Sequence, residues 1–236
     1  MEKDVDSSCQ ELENDKGRVD WGKFEPTMRK AMILGDTFKG GPDLQNLMRS
    51  NTVLTCGIAI QNWTNTELPS PHYTSFTGML SIPPTSIPSG TIQAVVSHKS
   101  SIGIRGCSGL ISWKLKTRRV VMAWTIPYFT SNALAVGITN TACDVHDDKW
   151  FRKMMHEKSD NEITFTKEVY QNGKACKECK VVSSDGKYDV LATMGTSARS
   201  EIKVCVRGTT FDTSHKSIRP KQFTTNKSSR NDSGPF

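Results

Sequence analysis

From residue 52 onward apolar and polar positions alternate with a period of two, in short runs rich in β-branched and aromatic residues that turn formers separate. The runs predict strands over 53–62, 72–77, 91–98, 105–115, 119–126, 132–140, 162–170, 178–183, 188–194 and 200–207. Strands this short and this closely spaced predict an all-β fold with flanking short helices, a ten-stranded sandwich of two sheets. Ser183-Ser184-Asp185-Gly186-Lys187 predicts a hairpin, because Asp-Gly tolerates the positive φ angles of a tight turn. Pro83, Pro84, Pro88 and Gly90 predict a loop over 81–90.

Helical spacing occurs in three places. Pro26, Met28, Met32 and Ile33 predict a helix over 26–35 that ends near Gly35, and Leu44, Leu47 and Met48 predict a second over 42–50. Gly40-Gly41-Pro42 breaks the two apart. The third helix interrupts the strands: Asp147 and Asp148 suit its N-terminus, Trp150, Phe151, Met154 and Met155 follow, and Lys149, Arg152 and Lys153 flank them. Rings and methionines beside cations suit a helix lying in a membrane interface, and equally a helix laid on a sheet.

Composition divides the chain further. Apolar residues make up 36% of it, below the usual figure of about 45–50%, and the polar ends account for much of the deficit. Residues 1–20 hold seven acids and three bases, and residues 207–236 hold six bases and two acids. The 22 bases and 15 acids between them carry the whole net charge of +7, so the folded region itself attracts anionic partners such as phospholipid headgroups. The predicted organisation is an acidic extension over 1–25, a helical segment over 26–50, one β-sandwich over 51–208 and a basic tail over 209–236.

Candidate chemistry is sparse. No phosphate-cradling glycine loop, HExxH, GxSxG elbow or clustered carboxylate pair occurs, and the chain reads as a non-enzyme that needs no cofactor. Gly106-Cys107-Ser108-Gly109, with His98 nine residues upstream, has the outline of a nucleophile loop, but small residues at a strand start serve close packing. Cys176 and Cys179 have metal-knuckle spacing without a second ligand pair, and the histidines, at 72, 98, 146, 156 and 215, suggest no shared site. The seven cysteines do not read as a secreted disulfide framework, no apolar run opens the chain as a signal peptide, and no stretch approaches 18 consecutive apolar residues. Sequons stand at Asn62, Asn226 and Asn231. Nucleic acid is not an expected partner, because aromatic residues do not interleave with Lys and Arg along one strand.

Three stretches read in order carry a resemblance. They are Thr55 to Asn62 followed by Tyr73 to Gly78; Gly106 to Trp113 leading through Val120 to Trp124 into Thr125-Ile126-Pro127-Tyr128; and Ser131 to Ile138 followed by the Trp150 to His156 helix. Over roughly residues 50–207 the chain resembles the actinoporin family of α-pore-forming toxins, especially its vertebrate actinoporin-like branch. The resemblance implies a β-sandwich that binds phosphocholine headgroups, preferably of sphingomyelin, and inserts an N-terminal helix into oligomeric, cation-permeable pores.

Carried over residue by residue, the resemblance implies a headgroup site of Thr77, Ser108, Thr125, Pro127, Phe151, Met155 and His156. Thr77 and Thr125 keep the hydroxyl of family serines and Pro127 matches outright, whereas Ser108 replaces a small apolar residue. Phe151, Met155 and His156 stand opposite three family tyrosines, and Ala133 stands where an interfacial tryptophan is common. The implied membrane-interface residues are Tyr128, Phe129, Trp150, Phe151, Arg152 and Lys153. The partners implied are membrane lipids and further copies of the chain on the membrane, with release from the cell by a route other than a recognisable signal peptide. The alternative is a non-lytic lipid- or glycan-binding module of lectin type, since fungal fruit-body lectins are similar in fold.

Overall fold

Alternation sorts the apolar side chains of the strands onto two facing sheets. The computed structural model describes residues 44–49, 54–100, 105–143 and 145–209. In chain order the elements are α1 (Leu44–Arg49), β1 (Thr55–Trp63), β2 (His72–Thr77), β3 (Met79–Ile82), β4 (Ile92–His98), β5 (Cys107–Leu115), β6 (Arg118–Ile126), β7 (Asn132–Thr139), α2 (Lys149–His156), β8 (Ile163–Tyr170), β9 (Cys179–Val182), β10 (Tyr188–Met194) and β11 (Arg199–Gly208). One sheet has the order β3-β4-β1-β11-β10-β9 and the other β2-β5-β6-β7-β8. All pairings are antiparallel except β1 with β11.

The all-β sandwich with short helices stands, but it has eleven strands among the described residues, against ten expected. The added strand is β3, which pairs with β4 and enters the stretch expected to be loop. Proline excludes a ladder position only from Pro83 onward, so the chain is free to pair before it. Ile87 also forms an isolated bridge with Leu68. The helix expected over 42–50 is α1, while the one expected over 26–35 lies outside the described residues. Gly186 turns the β9–β10 hairpin with φ +68° and donates its N–H to Ser183 O at 2.8 Å.

Two apolar layers result. Between the sheets lie Ile58, Ile60, Ile111, Trp113, Trp124, Leu134, Val136, Val190 and Val204 with their neighbours. The second layer lies on the outer face of the five-stranded sheet, where Leu110, Val121, Ala123, Ala133, Ala135 and Ile163 meet Trp150, Met154 and Met155 of α2. β7 alternates large residues inward with Ala133, Ala135 and Gly137 outward, and it is buried along its whole length. Small outward residues leave the depth that the indole of Trp150 needs. On the opposite sheet Asp189 accepts two hydrogen bonds from Arg207, 2.7 Å from Nε and 2.6 Å from Nη2, and both side chains are buried.

Candidate functional site

Strand registers bring the sequence-predicted hydroxyls into one row. Thr77 pairs with Ser108, Ser108 with Thr125 and Thr125 with Ala133, across β2, β5, β6 and β7. Leu110, Ala123 and Ala135, two residues away on their strands, lie under α2, so period-two geometry puts the row on that same outer face. Thr77 Oγ1 and Ser108 Oγ stand 2.8 Å apart, and Ser108 is buried. The row lies at the end of the sheet where β2 and β6 stop, β5 and β7 start and β8 stops.

A register shift between Ser75 and Thr77 shapes this end. Strict alternation would send Phe76 and Thr77 to opposite faces; one inserted residue lets both face outward. Thr77 meets Ser108 while the Phe76 ring stacks on Phe151 of α2, with centroids 4.2 Å apart and planes 26° from parallel. Phe76 was not among the residues expected from sequence, although it follows Thr74 in the strand's alternation onto the α2 face; what the alternation does not show is the bulge that brings Thr77 to that face as well.

The β6–β7 loop extends the surface. Pro127 is half-buried, Tyr128 is 51% exposed and Phe129 is 78% exposed, with the two rings edge to face at 4.8 Å. The loop rests on Gly106, where an added Cβ would lie 1.8 Å from Ile126 O and 2.8 Å from Pro127 Cα, so only glycine fits. Asn132 fastens the start of β7 to the β10–β11 loop, donating from Nδ2 toward Gly195 O, Ser197 O and Ser200 Oγ at 2.8 to 3.0 Å. Exposed Arg105, Lys174, Lys177 and Arg199 lie on segments at the same end.

α2 departs from expectation in three places. Trp150, expected at a membrane interface, is 1% exposed beneath the helix, and its Nε1 donates to Glu162 Oε1 at 2.8 Å. Lys153, expected to face lipid phosphates, is instead held by Asp160 and Glu162. Hydrogen bonds to these two carboxylates raise its ammonium well above the usual value, and they hold both carboxyls below theirs. Met155 is buried in the same apolar layer as Ala133, and its carbonyl accepts a bond from Lys167 Nζ at 2.5 Å. Phe151 is half-buried, while Arg152 and His156 are exposed. The reason is geometric. Eight residues make little more than two turns, and their large apolar groups are needed against the sheet.

The catalytic outlines lead nowhere. Cys107 is fully buried, and burial pushes its thiol up to about 12, so it holds no thiolate at neutral pH. Ser112, His146 and Asp148 line up as nucleophile, base and orienting acid, but Ser112 is sealed from solvent and its Oγ accepts a bond from Arg119 Nε at 2.8 Å. Cys176 is exposed and Cys179 buried, both as free thiols, and no group of three or more metal-ligating side chains occurs among the described residues. The sequon asparagine Asn62 is fully buried, donating to Thr66 O and Ile87 O and accepting from Thr64, which leaves no amide for a glycan.

No protein-family model matches the chain. Conoporin-Cn1 of Conus consors is 25% identical over 197 residues, covering 81% of this chain and 77% of its own. Tereporin-Ca1 of Terebra anilis is 29% identical over 180 residues, covering 72% and 92%. The chain is similar to both. Among solved structures, the lipid-binding protein Nakanori matches with a TM-score of 0.51 and 13% identity over 67% of this chain and 73% of that one, which is a likeness of fold.

Proposed function

We propose that this is an actinoporin-like, non-enzymatic protein that docks on phosphocholine-bearing bilayers, sphingomyelin included, through the bulge end of its five-stranded sheet. The observation that carries this reading is the convergence, on one end of one sheet, of a hydroxyl row, a ring stack and two exposed aromatic residues. Phe76 and Phe151 offer ring faces to a quaternary ammonium, and Thr77, Ser108 and Thr125 offer hydroxyls to its phosphate. Tyr128 and Phe129 enter the headgroup layer, and Arg105, Arg152 and Lys177 meet phosphates around it. Fewer tyrosines and a buried Trp150 make the contact smaller than the sequence implied.

Pore formation by oligomers, with residues 26–50 as the inserting segment, is the further step of the same reading; the names of the two relatives favour it. Co-sedimentation with sphingomyelin–phosphatidylcholine vesicles, and release of dye trapped in them, test the two steps separately. Wild-type protein is expected to sediment with these vesicles, and Phe129→Ser to stay mostly in solution while its unfolding midpoint is unchanged. Sedimentation without leakage leaves docking alone. Absence of sedimentation, with retention on a glycan array, establishes the lectin-type alternative.

A further inference from the structure

His146 lies outside the docking surface, yet β2, β5 and the N-cap of α2 all meet at its ring. Its side chain is 8% exposed. Nδ1 stands 2.8 Å from Ser112 Oγ on β5, and that oxygen accepts from Arg119 Nε on β6 at 2.8 Å. Arg119 Nη2 donates to Ser70 O at 2.7 Å and Ser112 O at 3.2 Å. On the other side of the ring, Nε2 stands 3.4 Å from both Thr74 Oγ1 on β2 and Asp148 Oδ1 at the N-cap of α2, and the Thr74 hydroxyl also donates to Asp148. His72 stacks on the ring at 6.0 Å, Trp150 meets it edge-on at 5.9 Å, and Asp147 is the remaining charge that acts on it.

The network suits one protonation state. Because Ser112 Oγ accepts from Arg119, its own hydrogen can point to Nδ1, which places the ring proton on Nε2 toward Asp148. A second ring proton would aim an N–H at an oxygen already bonded to a guanidinium and turn the Ser112 hydrogen away from its acceptor. Burial foremost, with the charges of Arg119 and His72 added, holds the imidazole below its ordinary value of 6.5 against the pull of Asp148 and Asp147. The folded state therefore takes up its proton later than the unfolded chain. The stability contributed is full above pH 6.5, declines as the pH falls below that, and is gone beneath the folded-state value.

We propose that His146 is a positioning residue: neutral, it locks the head of α2 onto β2 and β5 so that Phe151 reaches Phe76, and protonated, it frees the helix head and weakens docking on lipid. The lock stands on its own, and only its effect at the membrane rests on the docking reading. The carboxylate anchors of α2 do not produce a step near pH 6, because Lys153 holds Asp160 and Glu162 below the ordinary carboxylate range.

Amide protection factors of Trp150, Phe151 and Met154 in the full chain without lipid, measured from pH 7.4 to 5, test the lock, and sphingomyelin–phosphatidylcholine vesicle sedimentation over the same range tests its consequence. Wild-type protection at α2 is expected to fall by up to about tenfold per pH unit below pH 6.5 and to level off once the folded-state imidazole of His146 is protonated. The bound fraction should follow with the same midpoint. His146→Gln, uncharged throughout, is expected to remove the step from both curves. Ser112→Ala, which keeps the imidazole and takes away its partner, is expected to raise the midpoint. A step that persists in His146→Gln, or protection that stays level from pH 6.5 down to the pH at which the His146 ring resonances titrate, overturns the lock. A step in protection without one in sedimentation overturns the link to docking, and failure to sediment at any pH overturns the docking reading while the exchange data still decide the lock.

Discussion

Phe76 and Phe151 stack at 4.2 Å although one lies on an edge strand and the other on the only helix covering that sheet among the described residues. Alternation from Thr74 turns Phe76 toward α2, and the bulge before Thr77 brings the Thr77 hydroxyl onto the same face, so the contact joins α2 to the hydroxyl row. Ring pairs of this kind contribute about 0.5–1.5 kcal/mol beyond the area they bury. A double-mutant cycle with Phe76→Leu and Phe151→Leu, read by urea unfolding, is expected to give a coupling of about 1 kcal/mol. The same two variants should each lower vesicle binding, and a coupling indistinguishable from zero removes the stack as a joint.

Gly106 supports the β6–β7 loop by having no side chain. A methyl group there would collide with Ile126 O, which is backbone and cannot swing aside. Gly106→Ala is expected to lose about 1–3 kcal/mol in chemical denaturation, as overpacked positions do, and to shift the amide resonances of Tyr128 and Phe129. Gly173→Ala serves as a comparison, since nothing lies within 4 Å of its added carbon, although its φ of +78° adds a smaller strain.

Asp189 and Arg207 face each other directly across β10 and β11, 5–7% exposed. Asp189→Ala leaves a guanidinium buried without its carboxylate, a loss of about 3–5 kcal/mol that a denaturant melt would show. Replacing both residues together with leucine and methionine should recover most of that loss, because no buried charge is then left unmatched.

Acid should loosen α2 in two stages. Asp160 and Glu162 have their carboxyls held below the ordinary values of 3.8 and 4.5 by Lys153. Folded-state values that are depressed contribute stability present above the unfolded values and lost as the pH falls through the folded ones. A second drop in α2 protection is therefore expected below about pH 4. Lys153→Met should abolish the second drop and leave the one assigned to His146 in place, as hydrogen exchange would report.

Ten of the eleven strands among the described residues were legible in the sequence to within about two residues. A half-buried strand must alternate, and turns between strands need residues that accept unusual φ angles. β3 was missed because its Met79-Leu80-Ser81-Ile82 run is short and stands beside prolines. The hydroxyl row was named through the family resemblance, position by position; alternation alone would have sent Thr77 to the other face, because the bulge before it shifts the register.

What lay beyond the sequence was which of two adjacent aromatic residues is buried. Trp150 and Phe151 are neighbours with similar hydrophobicity, and no local rule says which ring goes beneath the helix and which reaches the surface. The rotation of α2 decided it, and that rotation is set by partners outside the helix: Glu162 for the indole, Asp160 for Lys153, and Ser112 with Thr74 for His146. Periodicity along a chain determines how strands form and which side chains share a face. Which polar groups find one another across 34 or 72 residues depends on strand order and helix placement, and only the folded structure decides that.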